Sequence, residues 1–244
     1  MTKDQENKIA PLFSDYSCVE IARITGMTID QIYGLKERLG LSKHQNVKLQ
    51  FDELQNQILI SGKLGDGNFK KNGSSNYYYR ESHAEDELEY LRWKMLNLGD
   101  AVTPSGIVKI KRGGFNVQQL YGFQTITTPS LIKYAEMSTL ETIQSLDYRG
   151  IIMFMLDDGT FSKHTKYGYF KISGGVLTDD ELLSVCNKLE DNKIGGTHIT
   201  GNKNKEIVIP SRNNTRLLSF ALSFMPRELD VIQKKFGTIL NNQT

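Results

Sequence analysis

Residues 59–67, LISGKLGDG, and residues 151–159, IIMFMLDDG, are two apolar segments that end alike, in an aspartate followed by glycine. The acids are Asp66 and Asp158, about ninety residues apart. Each segment reads as an apolar helix whose last turn carries a carboxylate, and the glycine lets the chain leave the helix. Ser61 and Gly65 lie four apart, so they share a helix face and offer a small surface for close approach. The second copy departs from this, with Met153 and Asp157 at the matching positions. Lys63 interrupts the first segment, where its ammonium would have to reach the surface along its own stem.

The same succession follows both segments. After the first come a Gly/Asn/Ser loop, the alternating run NYYYRES (76–82) and the amphipathic stretch AEDELEYLRWKMLNLG (84–99). GIVKIKR (106–112) and FNVQQLYGFQTIT (115–127) then lead to a helix opened by Pro129-Ser130. After the second come YGYFKIS (167–173), LTDDELLSVCNKLEDN (177–192), GTHIT (196–200) and KEIVIP (205–210), with a helix opened by Pro210-Ser211. The expectation is an α+β chain of two αββαββα repeats with antiparallel sheets, over residues 51–145 and 146–244. Trp93 and the tyrosines of NYYYR read as packing, and His83 and His164 have no partner at any recognisable spacing.

Residues 1–45 form a separate all-α unit. Val19, Ile21, Ala22 and Ile24 give one short helix, Gly26 a turn, and Thr28 the cap of a second helix with Ile29, Ile32, Leu35 and Leu39 inward. The placement of Ala22, Gly26 and Ile32 resembles the helix-turn-helix family, which implies that Asp30, Gln31, Tyr33, Lys36 and Glu37 face outward and that Gln31, Tyr33 and Lys36 contact DNA. A polar linker around residues 42–50 separates this unit from the repeats.

Composition narrows the class. Of 244 residues, 39% are hydrophobic and 24% charged, as in ordinary globular proteins, and the absence of a long apolar run excludes a membrane span. The polar N-terminus is unlike a signal peptide. Cys18 and Cys186, the only cysteines, read as reduced thiols. The expected location is therefore the cytoplasm of a bacterial or phage-infected cell, or an organelle interior, with no secretion. A net charge of +2 makes no case for nucleic acid by itself. Acids concentrate in the helical stretches, however, and lysines in the strand-like ones, which can leave one face basic.

LISGKLGDG and IIMFMLDDG resemble the paired motifs of the LAGLIDADG homing endonucleases. The resemblance implies two helices packed along a pseudo-two-fold axis in a monomer, with saddle-shaped sheets lying in the major groove of double-stranded DNA. It implies site-specific double-strand cleavage, with Mg²⁺ or Mn²⁺ held by Asp66 and Asp158 and by the backbone carbonyls of Gly65 and Asp157. Two such carboxylates suit phosphodiester hydrolysis, since hard oxygen ligands hold the ions that activate water and offset charge on the reacting oxygens. Basic residues near the centre would be Lys133 and Lys234, although they lie four and twenty-four residues after Pro129 and Pro210. Strand alternation nominates Lys70, Arg80, Lys109, Lys111, Gln118, Lys163, Lys171, Lys203 and Lys205 as DNA contacts. Two other functions use the same scaffold: a non-cleaving transcriptional regulator, from which the acids have been lost, and an intron RNA maturase. A mobile intron or phage element would be a fitting source.

Overall fold

The computed structural model describes residues 3–14, 16, 18–39, 48–72, 76–110, 119–162, 168–175, 177–202 and 204–241. Three short helices come first: α1 (Lys3–Ile9), α2 (Cys18–Thr25) and α3 (Ile29–Arg38). Ile9, Ile21, Ile32 and Leu35 form a small core of their own. Gly26 has φ +70°, the left-handed backbone that the turn between α2 and α3 needs. A capping box opens α3: Thr28 Oγ1 accepts from Gln31 N at 3.3 Å, and Gln31 Oε1 accepts from Thr28 N at 2.9 Å. Two apolar side chains are exposed, and for Ile29 this departs from the expected inner face. Ile24, 54% exposed, lies roughly 200° around α2 from Ala22, and Ile29 sits exposed in the first turn of α3.

The first repeat runs α4 (Glu53–Leu64), β1 (Gly67–Asn72), β2 (Asn76–Ala84), α5 (Leu88–Leu98), β3 (Val108–Ile110), β4 (Leu120–Gln124) and α6 (Ile132–Glu136). After α7 (Thr139–Gln144) the order returns: α8 (Tyr148–Asp158), β5 (Gly159–Ser162), β6 (Tyr169–Ser173), α9 (Asp179–Asp191), β7 (His198–Thr200), β8 (Glu206–Ile209), α10 (Asn214–Leu222) and α11 (Asp230–Asn241). The two antiparallel sheets have matching orders, β1-β2-β4-β3 and β5-β6-β8-β7. Alternation sets their faces. Tyr79, Glu81 and His83 are buried on β2 while Arg80 between them is exposed. One continuous hydrophobic core serves both repeats.

Helices α4 and α8 form the spine. Asp52 caps α4 in a box with Gln55, and Asp147 caps α8 through the backbone N–H groups of Arg149 and Gly150. Gln57 of α4 is buried beside the start of α8, donating to Ser145 O at 3.1 Å and accepting from Asp147 N at 3.0 Å. A Cβ on Gly150 would stand 2.1 Å from Gln57 Oε1. At the other end a Cβ on Gly65 would stand 2.7 Å from the Asp157 Cβ. Starts lie beside starts and ends beside ends, so the helices run the same way and deliver both acids to one place. Of Ser61, Gly62 and Gly65, Gly62 serves a different surface, since a Cβ there would meet the Tyr79 hydroxyl.

Lys63 does not stay in solvent. Its Nζ donates to the carbonyls of Tyr134 at 2.7 Å, Ala135 at 2.9 Å and Met137 at 2.5 Å, closing the C-terminal end of α6. The space a side chain would need at Gly65 is taken by Asp157. Gly65→Ala is therefore expected to destabilise the protein by about 1–3 kcal/mol, the range for overpacking a tight contact, as read from urea unfolding.

Candidate active site

Asp66 follows the C-cap residue of α4, and its side chain is 40% exposed. Asp158 is the last residue of α8 and is half-buried. Burial, followed by the charges of Asp157 and Asp66, pushes the Asp158 carboxyl up to about 6. Both motif acids thus sit at the common end of the spine, where the charge of Asp66 adds to the cost of ionising Asp158.

Asp157 does something different. Its side chain is wholly buried and turns into the first repeat, where Lys94 Nζ of α5 donates to its two oxygens at 2.8 and 2.9 Å. The same ammonium donates to Glu81 Oε1 at 2.5 Å. Glu81 also accepts from the Tyr79 hydroxyl and from His83 Nε2, the latter at 2.8 Å. His83 Nδ1 stands 3.2 Å from Glu87 Oε2 and 3.6 Å from Asp66 Oδ2. A buried polar chain thus runs from Asp157 of the second motif to Asp66 of the first.

Its charges follow from these contacts. Burial opposes ionisation of Glu81, but Lys94 and then His83 outweigh it and hold the carboxyl down at about 2. Burial likewise disfavours a charged His83, yet hydrogen bonds to Glu81 and Glu87 lift it to about 10. Asp157 is raised by burial to about 6, and the adjacent Lys94 ammonium keeps it ionised at neutral pH. Ligand atoms of Asp66, His83 and Asp157 lie within 4.8 Å of one another, which suggests a metal triad at first sight. The donor chemistry argues against it. Both His83 nitrogens face carboxylates and must carry protons, and both Asp157 oxygens are held by Lys94. Asp66 and Asp158 remain as crowded carboxylates with which a divalent cation would be at home.

Among the described residues neither expected basic residue is seen paired with a motif acid. Lys133 rests over the Tyr134 ring, 4.5 Å from its centroid. Lys234 is paired with Asp86 and Glu87, each at 2.9 Å, on the surface of α11. Its neighbour Lys235 is the buried one, donating to the carbonyls of Leu156 and Gly159 around the end of α8 beside Asp158. Lys235 was missed because an i to i+1 step turns a side chain to another helix face. Glu81 and His83 were missed because strand alternation along Tyr79-Arg80-Glu81-Ser82-His83 was their only local signal, and Lys94 because its partners lie on other elements.

Strand register also sorts the expected DNA contacts. Asn68, Lys70, Tyr78, Arg80 and Gln124 share the outer face of the first sheet. Lys109 does not join them: it is level with Tyr121 and His83, on the helix-packed side of an edge strand. Lys171 is on the outer face of the second sheet with Thr160, Val208 and His198, but pairs with Glu206 at 2.6 Å. Lys205 precedes β8 and is paired with Asp179. Lys111, Gln118, Lys163 and Lys203 lie outside the described residues. In α3, Gln31 is exposed but turned back into the cap, Tyr33 is 39% exposed, and Lys36 is half-buried over the Phe13 ring.

The crowding at Asp158 has a measurable sign. A carboxyl raised in the folded state is a charge the fold disfavours, so its cost is absent below about pH 4 and complete above about pH 6. In EDTA, Asp158→Asn is expected to raise the melting temperature at pH 7.5, with the gain fading as pH approaches 4.

The profile of the LAGLIDADG DNA endonuclease family matches residues 56–217. No curated protein is similar enough in sequence to match. Among solved structures, the homing endonuclease I-WcaI bound to its DNA recognition sequence superposes with a TM-score of 0.63 at 18% identity, covering 77% of this chain and 88% of that one. I-DmoI in complex with DNA and Ca gives 0.48 at 16% identity over 74% and 97% of the chains. Full-length DUF199/WhiA from Thermatoga maritima gives 0.45 at 13% identity, over 81% of this chain and 63% of that one. With both motif acids at the common end of a parallel helix spine and two sheets of matching order, the chain belongs to the LAGLIDADG DNA endonuclease family.

Proposed function

We propose that this protein is a site-specific, metal-dependent endonuclease that cuts both strands of duplex DNA as a pseudo-symmetric monomer. The observation that carries the reading is the pair Asp66 and Asp158, at matched ends of parallel helices that run the same way and end side by side. Asp66 and Asp158, with the carbonyls of Gly65 and Asp157, would hold the ions. Mg²⁺ or Mn²⁺, when bound, supplies positive charge that activates water and stabilises the attacking and leaving oxygens. The chain's own part is to fix the two carboxylates on a rigid spine and aim one at each strand. Lys235 locks the turn after Asp158 by holding the carbonyls on both sides of it.

The outer sheet faces would lie in the major groove. Lys70 and Arg80 offer phosphate or guanine contacts, and Asn68 and Gln124 can pair with base edges. On the second sheet Thr160, Lys171, His198 and Thr200 take that place. The N-terminal helices would extend the recognised site as a helix-turn-helix, with α3 presented to the duplex. In that case Tyr33→Ala combined with Lys36→Ala weakens binding roughly tenfold, the scale of one lost base contact, while bound DNA is still cut.

The test of the main reading is cleavage of a randomised duplex library with Mg²⁺ and with EDTA. Double-strand cuts at one sequence are expected with the metal only. Asp66→Asn and Asp158→Asn should each leave a nick in one strand, the two variants nicking opposite strands. Tight binding at a defined site with no cutting by the wild type would replace the enzyme with a DNA-binding regulator.

A further inference from the structure

The two repeats can be compared position by position. Gly67 and Gly159 each follow a motif acid and open the first strand of their sheets. Gly67 pairs with Glu81 on β2, and Gly159 pairs with Ile172 on β6. Two residues back, Phe69 pairs with Tyr79 and Phe161 with Phe170. Continuing each strand two residues beyond Glu81 and Ile172 sets His83 against Gly174. The first half therefore presents Tyr79, Glu81 and His83 to the interior where the second presents Phe170, Ile172 and Gly174. Polar groups back Asp66; apolar ones occupy the same places on the other side.

We propose that His83 is a positioning residue for Asp66 alone, so that the two halves of the active site are unequal and only the strand cut beside Asp66 depends on this imidazole. This rests on the endonuclease reading above. His83 is 1% exposed and cannot swing, because Glu81 and Glu87 hold its two nitrogens and the edge of the ring packs at 5.5 Å on Tyr90. Glu81 is itself fixed by Lys94, and Lys94 by Asp157. The ring is thus a rigid cation 3.6 Å from Asp66 Oδ2, on a side chain otherwise open to solvent. A fixed charge at that distance restricts the carboxylate's orientations. Asp158 has no such neighbour on β6. What fixes its end of the spine is Lys235, which acts on the backbone.

Two measurements test this. On the selected site, labelled separately on each strand, Asp66→Asn first identifies the strand cut beside Asp66. His83→Gln is then expected to slow that strand roughly 10–100-fold, the usual scale for the partner of a metal-binding group, and to leave the other strand at the wild-type rate. Equal slowing of both strands would reduce His83 to a structural role and overturn the proposal. The second measurement needs no cleavage. In EDTA, the ring ¹⁵N signals of His83 in the full chain are expected to move in Asp66→Asn and to stay in place in Asp158→Asn. Failure to respond to Asp66→Asn overturns the proposal even in a protein that cuts DNA. A clear response in a protein that does not cut supports the contact and places the failure in the endonuclease reading. Loss of a ring N–H signal on adding Mg²⁺ would make His83 a ligand and also overturn the proposal.

Discussion

A single ammonium holds the two halves of this molecule in register. Lys94 Nζ has no solvent exposure and bridges Glu81 of its own repeat to Asp157 of the other. Burying three charges is costly, and their mutual attraction repays that only when geometry is good and the remaining hydrogen bonds are made. Here they are made, by Tyr79, by His83 and by both oxygens of Asp157. Such an arrangement adds little net stability over an apolar core, but losing one partner costs about 3–5 kcal/mol because the others are left uncompensated. Its effect is to exclude alternatives. Sliding α8 along α4 by one turn would be tolerable for Ile, Leu and Met side chains, but it would strand Asp157, Glu81 and Lys94 without partners.

Apolar packing sets distance where the ammonium sets register. Gly150 admits Gln57 at one end of the spine and Gly65 admits Asp157 at the other. Removing either space would push the helices apart at that end and splay the tips that carry Asp66 and Asp158. Glycines and a buried cation, none of which need touch a substrate, thus set the placement of the two carboxylates that the proposed reaction requires.

The repeat, the sheet strands and the two motif acids were legible in the sequence because their signals are local: apolar period, alternation, turn residues and an acid before glycine. The same logic found the Gly26 turn and the Thr28 cap. What was not legible depends on contacts far apart in the chain. Glu81 and Lys94 are thirteen residues apart and Asp157 another sixty-three, so no window contains the network. Lys234 and Lys235 differ only in the helix face they occupy, and that face is set by where α11 docks. Lys109 lies on a strand as expected, yet register with Tyr121 assigns it to the helix side. His83 had looked partnerless because its partners are Glu81 and Glu87, two and four residues away on different elements, together with Asp66 across the sheet.

A net charge of only +2 is compatible with a DNA-facing surface because the charges are not evenly spread. Acids on the helical side absorb several cations there: Lys234 with Asp86 and Glu87, Lys205 with Asp179, Arg92 with Glu89. On the outer face of the first sheet, Lys70 and Arg80 have no carboxylate within ion-pair distance among the described residues. Screening at physiological salt acts over about 8 Å, so a phosphate approaching that face responds to the nearby cations rather than to the molecular total. The second sheet differs, since Glu206 already occupies Lys171. The inequality behind the two acids is thus repeated on the surface, where the first repeat carries the freer positive charge and the second presents hydroxyls and an imidazole beside a paired lysine.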